Sequence, residues 1–108
     1  MGRPHTQAIF DLKRRFGDNL ILLRDRGGLS RGETAVRSGL HTTQIGLLER
    51  GLRLPRLDTI IRLAGALEVA PCDLLSGMSW RLETYQGNPG TYVWSQAGES
   101  TVAGQRGA

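Results

Sequence analysis

The chain has 108 residues, one cysteine, two histidines and a formal net charge of +4, enough for one domain and a short extension. A lone cysteine excludes an internal disulfide, and histidines distant from it give no metal-ligand spacing, so no metal or other cofactor is expected. The longest aliphatic run, Leu20 to Leu23, is too short to span a membrane, and the N-terminus lacks the apolar stretch of a signal peptide; the sequence reads as soluble and cytoplasmic.

The charge is unevenly placed. Residues 1–77 hold twelve of the fourteen basic side chains and eight of the ten acidic ones, so they carry the whole net charge, and thirteen of the fourteen cations are arginine. The planar guanidinium suits phosphate, which points to an anionic partner.

Ile9, Leu12, Phe16, Leu20 and Leu23 recur at spacings of three and four, the pattern of one helical face. Gly17 is a point at which that helix is expected to divide, and Gly27-Gly28 end it. Ser30, with Glu33 three residues on, forms a capping box for a second helix to Ser38, stopped by Gly39. A third helix follows from Thr42 to Arg50, closed by Gly51. After a loop in which Pro55 restricts Leu54, Leu57, Ile60, Ile61, Ala64 and Leu67 mark the apolar face of a fourth helix. Pro71 and Asp73 open a short fifth helix with Leu74 and Leu75 facing inward.

Beyond Gly77 the period changes. Trp80, Leu82 and Thr84 alternate with Arg81, Glu83 and Tyr85, the turn residues GNPG follow, and Thr91 to Trp94 is again β-prone. The fold class read from this pattern is all-α: a helical extension over residues 1–15, a compact five-helix domain over 16–77, an aromatic extended or hairpin segment over 78–94, and a disordered tail over 95–108.

Within residues 31–50 the pattern is that of a helix-turn-helix. Two closely crossing helices need a small residue at the crossing and a glycine in the turn, supplied by Ala35 and Gly39. Ile45 and Leu48, three apart, pack the second helix back on the first, joined by Leu40 in the turn.

The text LSRGETAVRSGLHTTQIGLLERGLRLPRLDTIIRLAGALEVAPCDLL, Leu29 to Leu75, resembles the phage repressor and Cro type of helix-turn-helix, the XRE-like family, and the likeness extends back to about Phe16. The resemblance implies a repressor-like domain and a sequence-specific, DNA-binding transcriptional regulator, most simply a dimeric repressor. Its recognition helix would run from Thr42 to Arg50 with the N-terminal end in the major groove of double-stranded DNA. His41, Thr42, Thr43, Gln44 and Leu47, with Gly46 among them, fall where members of the family meet base edges. Arg31 stands where members commonly place a phosphate-contacting glutamine, and Arg50, Arg53 and Arg56 lie where the following loop runs along the sugar-phosphate backbone. Arg24 and Glu49 match a salt bridge that joins the first helix to the end of the recognition helix.

The sequence departs from the family pattern in four ways. Thr34 and Ser38 replace larger apolar residues, which predicts a looser core, and Gly32 weakens the second helix. His41 and Arg56 stand where a Ser or Thr usually caps, so Thr42 is expected to cap instead. Gly46 and Leu47 replace polar or basic readers, which predicts a site leaning to A·T with modest direct readout. A reading of a different class follows from the same apolar face: a protein-interaction module, such as an antitoxin-like partner, using Leu47 and the aromatic residues Trp80, Tyr85, Tyr92 and Trp94. That aromatic segment could cover its own chain, form a homodimer interface or dock a protein partner. Cys72 reads as a small, part-buried residue, and no phosphate loop, carboxylate pair or Ser/His/Asp arrangement suggests an enzyme.

Overall fold

The computed structural model describes residues 5–85 and 87–95. Five helices, α1 (His5–Arg26), α2 (Arg31–Ser38), α3 (Thr42–Glu49), α4 (Leu57–Leu67) and α5 (Pro71–Leu74), precede two strands, β1 (Met78–Tyr85) and β2 (Asn88–Trp94). The chain divides into two units, Met1–Leu75 and Ser76–Ala108. The stretch expected to be a disordered tail lies, from residue 96 on, outside the described residues.

In the helical unit α1 lies against α3 and α5, α2 against α3 and α4, and α4 against α5. Phe16, Leu20, Ile45, Leu48, Leu63 and Leu74 are fully buried and make the core between these helices; closing such side chains off from water supplies the main driving force for the fold. Asn19, on the same face of α1 as this core, is buried too and donates from Nδ2 to the Leu74 carbonyl at 2.9 Å, tying α1 to the end of α5.

Several expectations are corrected here. Gly17 does not divide α1, which is continuous. A Cβ at Gly17 would lie 2.6 Å from the Leu48 carbonyl oxygen and 2.7 Å from that of Glu49, so the glycine is required by the close passage of α3. The buried face of α4 is Thr59, Leu63, Ala64, Ala66 and Leu67, while Leu57 and Ile61 are 75% and 52% exposed; of the expected stripe Ala64 and Leu67 are buried, and the true face is turned away from Leu57 and Ile61. Leu74 is buried but Leu75 is 39% exposed, and Cys72 is exposed.

Local chemistry explains the helix ends. Ser30 caps α2 as expected: its hydroxyl accepts from the Glu33 amide at 3.0 Å, and Glu33 Oε1 accepts from the Ser30 amide at 2.8 Å. The Ser30 amide, and then the hydroxyl, hold the Glu33 carboxyl below its ordinary range. Gly39 ends α2 at φ 75° and donates to the Ala35 carbonyl. His41 is the N-cap of α3 without a side-chain cap bond; Thr42 is therefore the first helical residue and not the cap. Thr34 and Ser38 are buried with their polar groups satisfied, because each hydroxyl donates to the carbonyl one turn back, Thr34 Oγ1 to Ser30 at 2.9 Å and Ser38 Oγ to Thr34 at 2.7 Å.

In the second unit β1 and β2 form an antiparallel hairpin with Met78 opposite Trp94, Trp80 opposite Tyr92 and Leu82 opposite Gly90. The chain reverses at the first residue of the expected turn, Gly87 at φ 74°, and Asn88 is already paired with Tyr85. One extra residue on β1 between Leu82 and Tyr85 faces the stretch containing Pro89, which has no amide to give to a ladder. Alternation puts Met78, Trp80, Leu82, Tyr92 and Trp94 on one face. The Trp80 ring meets Tyr92 edge-on at 5.1 Å, and Tyr92 stacks on Trp94 at 6.1 Å. A Cβ at Gly90 would lie 2.6 Å from Trp80 Nε1, so the indole covers that glycine. The Tyr85 side chain, grouped with these aromatics by sequence, lies outside what is described.

Candidate nucleic-acid interface

The site is built around α3. Ile45 and Leu48 are buried against the helices behind it, which leaves one face of α3 for solvent. On that face His41, Thr42 and Thr43 are exposed at the N-terminal end, and Gln44 and Leu47 are half-buried. Gly46 sits among them, and a Cβ there would meet nothing within 4 Å. The sequence-derived base readers thus share one surface, with an open notch at Gly46. Its hydroxyls, amide and imidazole can donate and accept, and its methyl groups can touch apolar base edges.

The other end of α3 is fixed by charge. Glu49 has a fully buried side chain, 0% exposed, against 13% for Arg24 and 52% for Arg31. Arg24 donates from Nε to Glu49 Oε2 at 2.6 Å and from Nη2 to Oε1 at 3.2 Å, and its Nη1 reaches the Leu29 carbonyl at 3.0 Å. Hydrogen bonding to Glu49 raises the Arg24 pKa further, outweighing the opposite effect of burial. The expected Arg24–Glu49 bridge is therefore present, and it has a third member. Arg31 Nε donates to Glu49 Oε1 at 2.8 Å, so one carboxylate holds the C-terminal end of α1, the start of α2 and the end of α3 together.

That third member was not anticipated. The family position of Arg31 points to phosphate, and eighteen residues of separation carry no periodic signal for a contact with Glu49. Since the bond uses Nε and the side chain is half exposed, the terminal Nη groups remain available to an anion. Among the other cations assigned to phosphate, Arg50 and Arg53 are exposed, while Arg56 is exposed but lies 3.3 Å from Asp58. The structure thus brings Arg31 into contact with the salt bridge at Glu49, and keeps Arg50 and Arg53 at the turn after α3. Among the described residues no group of three or more His, Cys, Asp or Glu side chains could hold a metal, and no helix is long and apolar enough to cross a membrane.

Comparison with known proteins adds an independent line. Residues 20–74 match the helix-turn-helix model HTH_3. The chain is 36% identical over 66 residues to the HTH-type transcriptional regulator y4dJ of Sinorhizobium fredii, covering 61% of this chain and 86% of the relative. It is 39% identical over 74 residues to the control protein C.SmaI of Serratia marcescens, covering 68% and 88%. Among solved structures, the restriction-modification controller protein C.AhdI from Aeromonas hydrophila is similar with a TM-score of 0.56 and 40% identity, over 57% of this chain and 94% of that one. The family match ends at residue 74, before the hairpin begins.

Proposed function

The chain belongs to the HTH_3 family of helix-turn-helix transcriptional regulators and is a DNA-binding regulator, not an enzyme, and on that premise we propose that it recognises a specific duplex sequence by inserting the N-terminal end of α3 into the major groove. The observation that carries this reading is the contrast along α3, exposed at His41, Thr42 and Thr43 and clamped at Glu49 by two arginines. Base edges are read by His41, Thr42, Thr43, Gln44 and Leu47. Phosphates are held by the free Nη groups of Arg31 and by Arg50, Arg53 and Arg56, the last exchanging Asp58 for DNA. Repression needs only that the bound protein occupy a promoter, and a symmetric dimer would meet half-sites about 34 Å apart.

A gel-shift titration in salt with the duplex upstream of its own gene tests this reading. The logarithm of affinity should fall linearly with that of salt, with a slope of about −0.9 per phosphate contacted; absence of a shift near 50 mM salt, well within that regime, would reject it. Selection from a random duplex pool should return an A·T-leaning site, because the readers offer methyls and amides but no arginine to guanine. Light scattering should give a dimer. Leu57 and Ile61, one turn apart on α4, are among the exposed apolar side chains of the helical unit, and Trp80 and Leu82 are exposed in the hairpin, so Ile61→Asp and Trp80→Ser compare these two faces as its seat. The antitoxin-like reading has no counterpart among the relatives named above.

A further inference from the structure

Gly51 follows α3 at φ 71°, and a Cβ on it would lie 3.2 Å from the Arg14 Cα and 3.3 Å from its Cγ. The turn after α3 is therefore laid directly on α1 at Arg14, with Arg50 and Arg53 on either side of that point in the chain. All three arginines are exposed, and none makes an ion pair or side-chain hydrogen bond among the described residues. Other arginines are committed elsewhere, Arg24 and Arg31 to Glu49, Arg37 to Glu68, Arg56 to Asp58 and Arg81 to Glu83. Arg26 and Arg62 are also exposed without an ion pair among the described residues, but Arg14, Arg50 and Arg53 belong to the crossing at the end of α3, where its last carbonyls make positive charge tolerable, and unneutralised guanidinium groups there suit an anionic partner.

We propose that Arg14 is a DNA-phosphate ligand, forming with Arg50 and Arg53 one site for the duplex backbone at the C-terminal end of α3. The proposal rests on the DNA-binding reading above and adds α1 to the interface. It also assigns a chain position to the grip: the backbone that leaves the groove beside α3 passes over the crossing of α1 and the Gly51 turn. Each guanidinium presents parallel N–H groups to phosphate oxygens, a geometry that a single surface charge lacks.

The test uses the full chain and a fluorescein-labelled random-sequence duplex about two helical turns long, because phosphate contacts do not depend on sequence. Anisotropy titrations between about 50 and 200 mM salt give the slope of log affinity against log salt. Arg14→Gln should make that slope shallower by about 0.9, and Arg14→Lys should restore it. Arg26→Gln, at an exposed arginine near the far end of α1, should leave it parallel to that of the unaltered chain. An unchanged slope for Arg14→Gln overturns the site, as does equal flattening by Arg26→Gln or a failure of Arg14→Lys to restore the slope. An unaltered chain that does not bind the duplex at all overturns the DNA-binding reading and this site with it, whereas binding with an unchanged Arg14→Gln slope overturns this site alone.

Discussion

At its C-terminal end α3 rests its last carbonyls against the backbone of Gly17 and buries Glu49 between two arginines, whereas at its N-terminal end His41, Thr42 and Thr43 stand in solvent with no side-chain cap. One helix of eight residues therefore joins a region where every change is felt by the fold to a region where almost none is. The lesson is a division of labour: the end that sets the angle of the helix carries the stability, and the end proposed to meet DNA carries little of it.

The strongest way to break that comparison is at Glu49. Glu49→Ala strands Arg24 and should cost about 3 to 5 kcal/mol of stability in urea unfolding. Combining it with Arg24→Ala should cost less than the sum of the two single losses; additive losses would mean that the pair does not work as a unit. The same substitution at two glycines sharpens the contrast further. Gly17→Ala drives a methyl into the α3 carbonyls and should destabilise by about 1 to 3 kcal/mol. Gly46→Ala points into open space and should stabilise by about 0.5 to 1 kcal/mol. If both glycines respond with the same sign, the close crossing of α1 and α3 is wrong.

Smaller effects belong to the exposed end and to the α2 cap. Thr42→Ala and Thr43→Ala should leave stability within about 0.5 kcal/mol while changing which duplexes a random pool returns. The Glu33 carboxyl is held below its usual range in the folded chain. Its stabilising contribution is therefore present above the pKa it has when unfolded and is lost as pH falls through the lower folded value. Glu33→Gln should flatten that part of a melting-temperature profile recorded against pH, and an unaltered acid limb would show that the capping box is not populated in solution.

What could be read from the sequence follows from how local each signal is. The capping box at Ser30 and Glu33, the left-handed Gly39 and the inward pair Ile45 and Leu48 rest on neighbours in the chain, and all are present in the structure. The five helices and the change to extended chain after Gly77 were legible for the same reason. The face of α4 was misjudged because its inward side is made of small residues, Ala64, Ala66 and Thr59, beside only two leucines, whereas Leu57 and Ile61 are large and exposed. Gly17 was read as a break because a glycine that weakens a helix and one that admits another helix look alike until the partner is known. Arg31 on Glu49 and Arg14 beside Gly51 are long-range meetings with no period behind them. Of the candidate interface, the positions proposed as readers were legible as one helix face, while the meeting of Arg14 with the Gly51 turn needed the fold.

The aromatic ladder of the hairpin has a practical consequence. Both tryptophans and both tyrosines of the chain lie beyond Leu75, with Trp80 and Trp94 each in ring contact with Tyr92, and the helical unit contains phenylalanine as its sole aromatic residue type. Intrinsic fluorescence is therefore a reporter on the hairpin, and circular dichroism at helical wavelengths a reporter on the other unit. Recorded together during unfolding, the two signals measure without any label whether the units melt as one cooperative body or as two.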